Sequence, residues 1–308
     1  MMRTRARGRY SPEHVSFGWI ALFSGPALVL YTVLVIVPIF TAFVYGLFTW
    51  KGTTPDAFVG FGNYVELFTR YPVNEQLGAA LWHNVLFFIG TMAVQNTIGL
   101  GLAVLLHRTK RGKRLFQTLY STPYLLSPLI VGYLWAMLLS PTFGPINEAL
   151  RAIGLDAFAL PWLGQPNTAL PVLILINAWQ WIGGPLLIFG AALGGIPAEL
   201  EEAAQLDGAS HWRLFWAVRF PLIMPAVGVI TVLTFIGCFN IFDLVYALGG
   251  SNGGPSGSMD VLGLLYYRLA FDGGTNAIGD SSAMAVLMFI LVFGVAIALE
   301  RLLRRREA

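Results

Sequence analysis

The sequence predicts an all-α integral membrane protein with six transmembrane helices and a cytoplasmic helix-turn-helix between the fourth and the fifth. Two observations carry this expectation: apolar residues gather into six stretches long enough to cross a bilayer, and Lys and Arg collect at the connectors of one side. Of 308 residues 56% are hydrophobic and 11% charged, with a mean hydropathy of +0.68. A soluble domain usually carries about 25% charged residues.

A helix needs about 20 apolar residues to cross a hydrocarbon core of about 30 Å. The first stretch, about 20–47, follows Arg3, Arg5, Arg7 and Arg9. It is longer than a signal-peptide core and no small-residue cleavage site follows, so it is expected to remain as a span. The second, 85–106, ends at a basic connector with Arg108, Lys110, Arg111, Lys113 and Arg114. The third, 115–139, starts at once, and 169–193, 222–248 and 282–303 complete the set, the last leading into Arg301, Arg304, Arg305 and Arg306. Cytoplasmic connectors retain Lys and Arg, so both termini and the second connector are expected inside. The opposite connectors hold Lys51, Arg70, Arg151 and Arg268 against Asp56, Glu66, Glu75, Glu148, Asp156, Asp260, Asp272 and Asp280. Barrel strands would show alternating segments of about ten residues, which are absent. With no repeat of fixed period and no polar segment long enough to fold alone, residues 1–308 read as a single membrane domain, with 249–255 as a flexible outer loop.

Several chemistries are excluded. The lone Cys238 allows neither an internal disulfide nor a cysteine metal cluster. His14, His83, His107 and His211 are scattered without metal-ligand spacing, so neither metal nor cofactor is expected. The formal charge of +3 and the pI near 9.1 come from arginines at the ends of apolar stretches, a membrane pattern rather than a nucleic-acid surface. Gly112-Lys113 lacks the rest of a phosphate-binding loop. Gly249-Gly-Ser-Asn-Gly253 fits G-x-S-x-G but lacks the flanking strand and helix of a hydrolase elbow. The chain is expected not to be an enzyme. Gly190 and Gly194 make a small-xxx-small pair suited to helix packing.

The fourth connector, 196–221, is cytoplasmic by the six-span count, yet it carries Glu199, Glu201, Glu202 and Asp207 against Arg213 and Arg219. Pro197 suits a first helical position, and the glutamates then meet the positive end of a short helix. Leu200, Ala203, Ala204 and Asp207 fall on one face, where small side chains let another surface come close. Asp207-Gly208 ends that helix, and Ser210 can cap a second bearing Trp212, Phe215 and Trp216. The pattern fits an interfacial amphipathic connector first, and a docking element seated in a partner's groove second.

Glu202-Ala-Ala204, three residues, Gly208, nine residues and Val218-Arg-Phe-Pro221 resemble the EAA loop of permease subunits of binding-protein-dependent ABC importers. Val218 and Phe220 stand where Ile and Leu are commoner, and both remain apolar. The resemblance is nearest to the carbohydrate-uptake branch typified by the larger permease of the maltose importer. It extends through Phe61-Gly-Asn-Tyr64, Pro123-Tyr124, Phe143-Gly-Pro-Ile-Asn147, Trp162-Leu-Gly164, Pro166-Asn-Thr168, Phe242-Asp-Leu-Val-Tyr246, Gly253-Gly-Pro255, Tyr266-Tyr267 and Ala270-Phe271.

The resemblance implies a permease moving a carbohydrate or related polyol by alternating access in a bacterial inner membrane. Its expected partners are a second, paralogous permease, cytoplasmic ATPase subunits that bind ATP and Mg, and an extracytoplasmic binding protein. Glu202, Ala203, Ala204, Asp207, Gly208 and Pro221 would form the ATPase-coupling element. Thr234, Gly237, Cys238 and Ile241 share one helical face, and they match sugar-lining positions of the maltose permease. Tyr124 and Pro128, and Asn177, Gln180, Trp181 and Gly184, match further pocket positions. Aromatic rings stack on pyranose faces and amides bind hydroxyls, although in membrane helices the same residues serve as packing and interhelical glue. Asp243 lies well inside the fifth stretch, where a carboxylate can carry a proton in a secondary transporter or simply meet water near the following loop.

Overall fold

The computed structural model describes residues 17–109 and 111–304. Arg3, Arg5, Arg7, Arg9, Lys110, Arg305 and Arg306 lie outside the described residues. The fold is mostly helical, with one departure from the all-α expectation: a two-stranded hairpin, β1 (Phe48–Lys51) and β2 (Thr54–Phe58), after the first helix. Gly52 turns it at φ +63°, and Phe48 packs edge-on against Phe58 at 5.3 Å.

Helix α1 runs over 17–45 with a π-turn at Thr32–Ile36. None of its Ala21–Tyr45 span is buried, so within this chain it is held mainly at its hairpin end, against α14. Asn63, at the start of α2 (Gly62–Thr69), closes that corner, its Nδ2 donating to the Gly46 and Phe48 carbonyls at 2.9 and 2.8 Å. Helix α3 spans Val73–His107, beginning 12 residues before the expected 85. It carries a π-turn at Met92–Asn96 that aims Gln95 and Asn96 inward.

The expected third, fourth and fifth spans are broken. The third is α4 (Lys113–Ser121), a 3₁₀ turn at Pro123–Leu125, and α5 (Pro128–Leu138), which leaves at 96°. After α6 (Pro145–Ala152), the fourth is α7 (Pro166–Trp181) and α8 (Gly183–Gly194), bent by 50°. Next comes the connector, α9 (Ala198–Leu206) and α10 (His211–Leu222). The fifth span is α11 (Met224–Phe239), set 67° from α10. It stops well short of 248: Asn240 to Phe242 are non-helical, and a separate α12 (Asp243–Gly249) follows. Hydropathy sums along a segment and cannot see a bend. Pro128 and Pro225 lack the N–H that would carry the ladder onward, and at Gly183 a Cβ would fall 2.7 Å from Ser121 Cα, so glycine is what lets the α7/α8 break pack against the end of α4. α13 (Leu262–Phe271) and α14 (Ala277–Arg304) complete the chain.

Among the described residues three helices are thus long and apolar enough to cross a membrane unbroken, and up to six spans result if each of the three bent pairs is one. The larger core runs among α3, α7, α11, α12, α13 and α14. A smaller one joins Ala103, Leu106, Leu186, Phe189, Leu193, Ile223 and Ile230 at the end bearing α9 and α10. The glycine-rich 249–255 segment is tied in place rather than loose: Gly254 N–H donates to Gly249 at 2.8 Å, and Arg268 reaches Ser251 O and both oxygens of Asp260.

Breaking a helix frees backbone groups that lipid cannot satisfy. Buried amides supply the missing partners. Asn84 is wholly buried, donates to Cys238 O near the end of α11 at 2.8 Å, and accepts from Leu262 N–H at the start of α13 at 2.9 Å. Substituting Leu would orphan both, so Asn84→Leu is expected to lower stability by about 3 kcal/mol, read as an earlier unfolding midpoint in detergent.

Candidate functional site

A cavity of about 470 Å³ opens among the broken helices. Its wall includes Thr91 and Gln95 of α3, Tyr124 and Pro128 at the α4/α5 break, Asn177, Trp181 and Gly184 at the α7/α8 break, and Thr234, Gly237, Cys238 and Ile241. Asn240 and Asp243 also line it. Seven of the eight expected path residues are therefore brought together: Tyr124, Asn177, Trp181, Thr234, Gly237, Cys238 and Ile241.

Gln180 is the exception. It is fully buried, outside the cavity wall, and its Nε2 donates to Leu126 O at 2.9 Å. That carbonyl is freed where the 3₁₀ turn ends, so Gln180 holds a break closed, as Asn84 does elsewhere. Asp243 also differs from expectation: it begins α12 beside the cavity instead of sitting inside a continuous span. Thr91, Gln95 and Asn240 were missed; Gln95-Asn96, an amide pair within an apolar span, was the signal that could have found the first turn of this wall.

The wall is knit by a relay of side chains. Asn177 Nδ2 donates to Gln95 Oε1 at 3.3 Å, Gln95 Nε2 to Asn96 Oδ1 at 3.4 Å, and Asn96 Nδ2 to Thr234 Oγ1 at 3.0 Å. Helices α7, α3 and α11 are thereby joined at one level. One turn along α7 from Asn177, Trp181 meets Tyr124 edge to face, with centroids 4.9 Å apart at 87°. Aromatic rings, amides, the hydroxyls of Thr91, Tyr124 and Thr234, and one carboxylate, with no Lys, Arg or His among the described residues of the wall, suit a neutral, hydroxyl-rich solute. Among the described residues no group of His, Cys, Asp and Glu is arranged to hold a metal.

The second element is the α9–α10 connector. Pro197 is the residue before the helix, with ψ 131°, not its first residue, and Glu199 and Glu201 occupy the first turn. Gly208 sits at φ +78°, where Ala209 N–H bonds Ala204 O and Gly208 N–H bonds Gln205 O, both at 3.0 Å. This is a Schellman ending, which places a left-handed residue just past the helix. Ser210 Oγ then accepts from Arg213 N–H at 3.3 Å and starts α10. Glu202, Ala203, Asp207, Gly208 and Pro221 are exposed, and Ala204 is half-buried. Sequence reading did not find the tie behind this surface: Arg219, 5% exposed, grips Glu201 through Nε to Oε1 at 2.8 Å and Nη2 to Oε2 at 2.7 Å. Beyond the 67° bend, α10 continues into α11, whose Ile230, Leu233, Thr234, Gly237 and Cys238 reach the cavity.

Residues 95–308 match the family profile described as the binding-protein-dependent transport system inner membrane component. Over 297 residues the chain is 31% identical to the lactose transport system permease protein LacF of Rhizobium radiobacter, covering 96% of each. It is 30% identical over 290 residues to the diacetylchitobiose uptake system permease protein NgcF of Streptomyces coelicolor, covering 90% of this chain and 80% of that one. A crystal structure of a bacterial ABC transporter involved in the import of the polysaccharide alginate superposes with a TM-score of 0.79 at 24% identity, over 94% of this chain and 96% of that one.

Proposed function

The chain belongs to the binding-protein-dependent transport system inner membrane component family, and from that premise we propose that it is the permease subunit through which an ATP-driven importer carries a carbohydrate or related polyol into the cytoplasm. The observation that carries the reading is the continuity of α10 and α11: one end presents the α9 surface, the other walls a cavity of aromatic rings and amides. Relatives named for lactose and diacetylchitobiose uptake support the substrate class.

In this reading the bent pairs each count as one of six spans, residues 1–308 form one transmembrane domain, and both termini and the α9–α10 loop face the cytoplasm. The basic clusters at Arg108 to Arg114 and Arg301 to Arg304 support that orientation. Glu202, Ala203, Ala204, Asp207, Gly208 and Pro221 form the surface that docks into an ATPase subunit, which binds ATP and Mg. A paralogous permease completes the path, and an extracytoplasmic binding protein delivers the solute. ATP binding draws the ATPases together, the docked loops move with them, and the cavity alternates between sides of the bacterial inner membrane. A proton-driven carrier using Asp243 is not favoured, since the family is named for binding-protein-dependent transport.

Two linked measurements test this. Mild-detergent isolation followed by mass spectrometry is expected to recover an ATPase and a second permease with the chain. Reconstituted with them, uptake should require ATP, and Glu202→Arg should reduce it about tenfold or more by placing a like-sized wrong charge at the docking face. Transport by the chain alone without ATP, or unchanged uptake by Glu202→Arg at normal insertion, would overturn the proposal.

A further inference from the structure

Helix α9 is a short lever on a swivel. It meets the rest of the chain chiefly through α10, and the link between them pivots at Gly208, whose backbone is left-handed and whose Cα has open space around it. A loop built this way folds back under load unless something fixes the angle between its arms. The two-pronged contact of Arg219 with Glu201 spans that angle from 18 residues away in sequence. Arg219 is almost wholly buried and Glu201 is 17% exposed, so the pair is little screened by water, unlike an ordinary surface ion pair.

The position of Arg219 within the chain gives the pair its consequence. Arg219 lies at the end of the π-turn Phe215–Arg219 of α10, two residues before Pro221 and close to the bend into α11. Ile223, the residue at the bend, whose N–H bonds Arg219 O, is packed with Leu186, Phe189 and Ile230. A push on α9 therefore passes through Glu201 to Arg219, and from there into the helix that carries Thr234, Gly237 and Cys238 to the cavity.

We propose that the Glu201–Arg219 pair is the strut that makes the α9–α10 loop and α11 move as one body, so that both residues are positioning residues for energy coupling. The proposal rests on the permease reading above. The strut acts behind the docking face: Glu202, exposed on the neighbouring side of α9, is free to meet a partner while Glu201 is held within the chain.

The test uses the whole complex in proteoliposomes and reads solute imported per ATP hydrolysed, alongside the yield of assembled complex. Arg219→Leu and Glu201→Leu should each lower that ratio by about tenfold while ATP hydrolysis continues, and the double exchange Glu201→Arg with Arg219→Glu should restore most of it. Arg219→Lys, which keeps the charge but not the fork, should fall between. A second readout does not depend on activity: spin labels at Gln205→Cys and Ala217→Cys, with Cys238 replaced by Ser, should give a narrow distance distribution that broadens on Arg219→Leu. An unchanged transport ratio in assembled single variants, an exchanged pair that assembles without recovering, or an unbroadened distance distribution each overturns the strut. Absence of ATP-dependent import by the unaltered complex would instead overturn the permease reading, leaving the distance measurement to judge the strut on its own.

Discussion

Gly208→Val is expected to cut ATP-dependent uptake between about tenfold and a hundredfold while the chain still inserts and assembles. Gly208 holds φ +78° at the end of α9, and a β-branched side chain is disfavoured there. The penalty is conformational, not steric, because a Cβ built at this position meets nothing within 4 Å. The loop therefore relieves it by changing its backbone, which opens the Ala204–Ala209 bond and turns α9 away from its docking angle. Gly208→Asn is the internal control: Asn visits the left-handed region with little strain and should keep most of the uptake. Vesicle uptake normalised to inserted protein checks both, and equal activity in the Val and Asn variants would detach coupling from this backbone angle.

Trp181→Ala is expected to lower solute import about tenfold while stimulation of ATP hydrolysis by the loaded binding protein persists. The indole stands at the α7/α8 break and meets Tyr124 at 4.9 Å, so its loss removes both a stacking surface and the support for the Tyr124 ring beside it. Trp181→Phe should recover much of the loss. Gln180, one residue earlier, supplies the contrast. Its amide satisfies Leu126 O behind the wall, so Gln180→Leu should reduce thermal stability by about 2 kcal/mol with less effect on transport by the protein that folds.

Sequence alone reached the cavity because its residue types are unusual where they stand. Asn177, Trp181 and Thr234 interrupt apolar runs, and the family resemblance placed them on a common path. It failed at Gln180 for a physical reason: an amide that binds a sugar hydroxyl and an amide that binds a stray carbonyl have the same composition and the same neighbours in sequence. Only the position of the break at Leu126 decides between them. The hairpin at Phe48–Phe58 went unread because its polar turn, Lys51 to Pro55, looks like any connector. Two of the three breaks carry prolines, Pro123 and Pro128 in one and Pro221 and Pro225 in the other, and the α7/α8 break carries Gly183 and Gly184, yet hydropathy outvoted them. In the α9–α10 loop the caps at Gly208 and Ser210 were legible from local chemistry, whereas the Glu201–Arg219 contact depends on how two helices cross.

The broken helices also bear on how this chain enters a membrane as it is synthesised. At 1.5 Å per residue the 16 residues of α11 reach about 24 Å and the 11 of α5 about 16 Å, both short of a hydrocarbon core of about 30 Å. Neither can be released sideways into lipid as a finished rod. Val73–His107, with 35 residues, and Gly274–Leu303, with 30, can. The emerging chain must therefore keep its middle segments sheltered until the last long helix arrives, and the amides that close the breaks are satisfied only then. In ribosome-bound fragments ending before residue 277, single cysteines placed in the middle segments should still react with a water-soluble maleimide, and in the full chain they should be shielded.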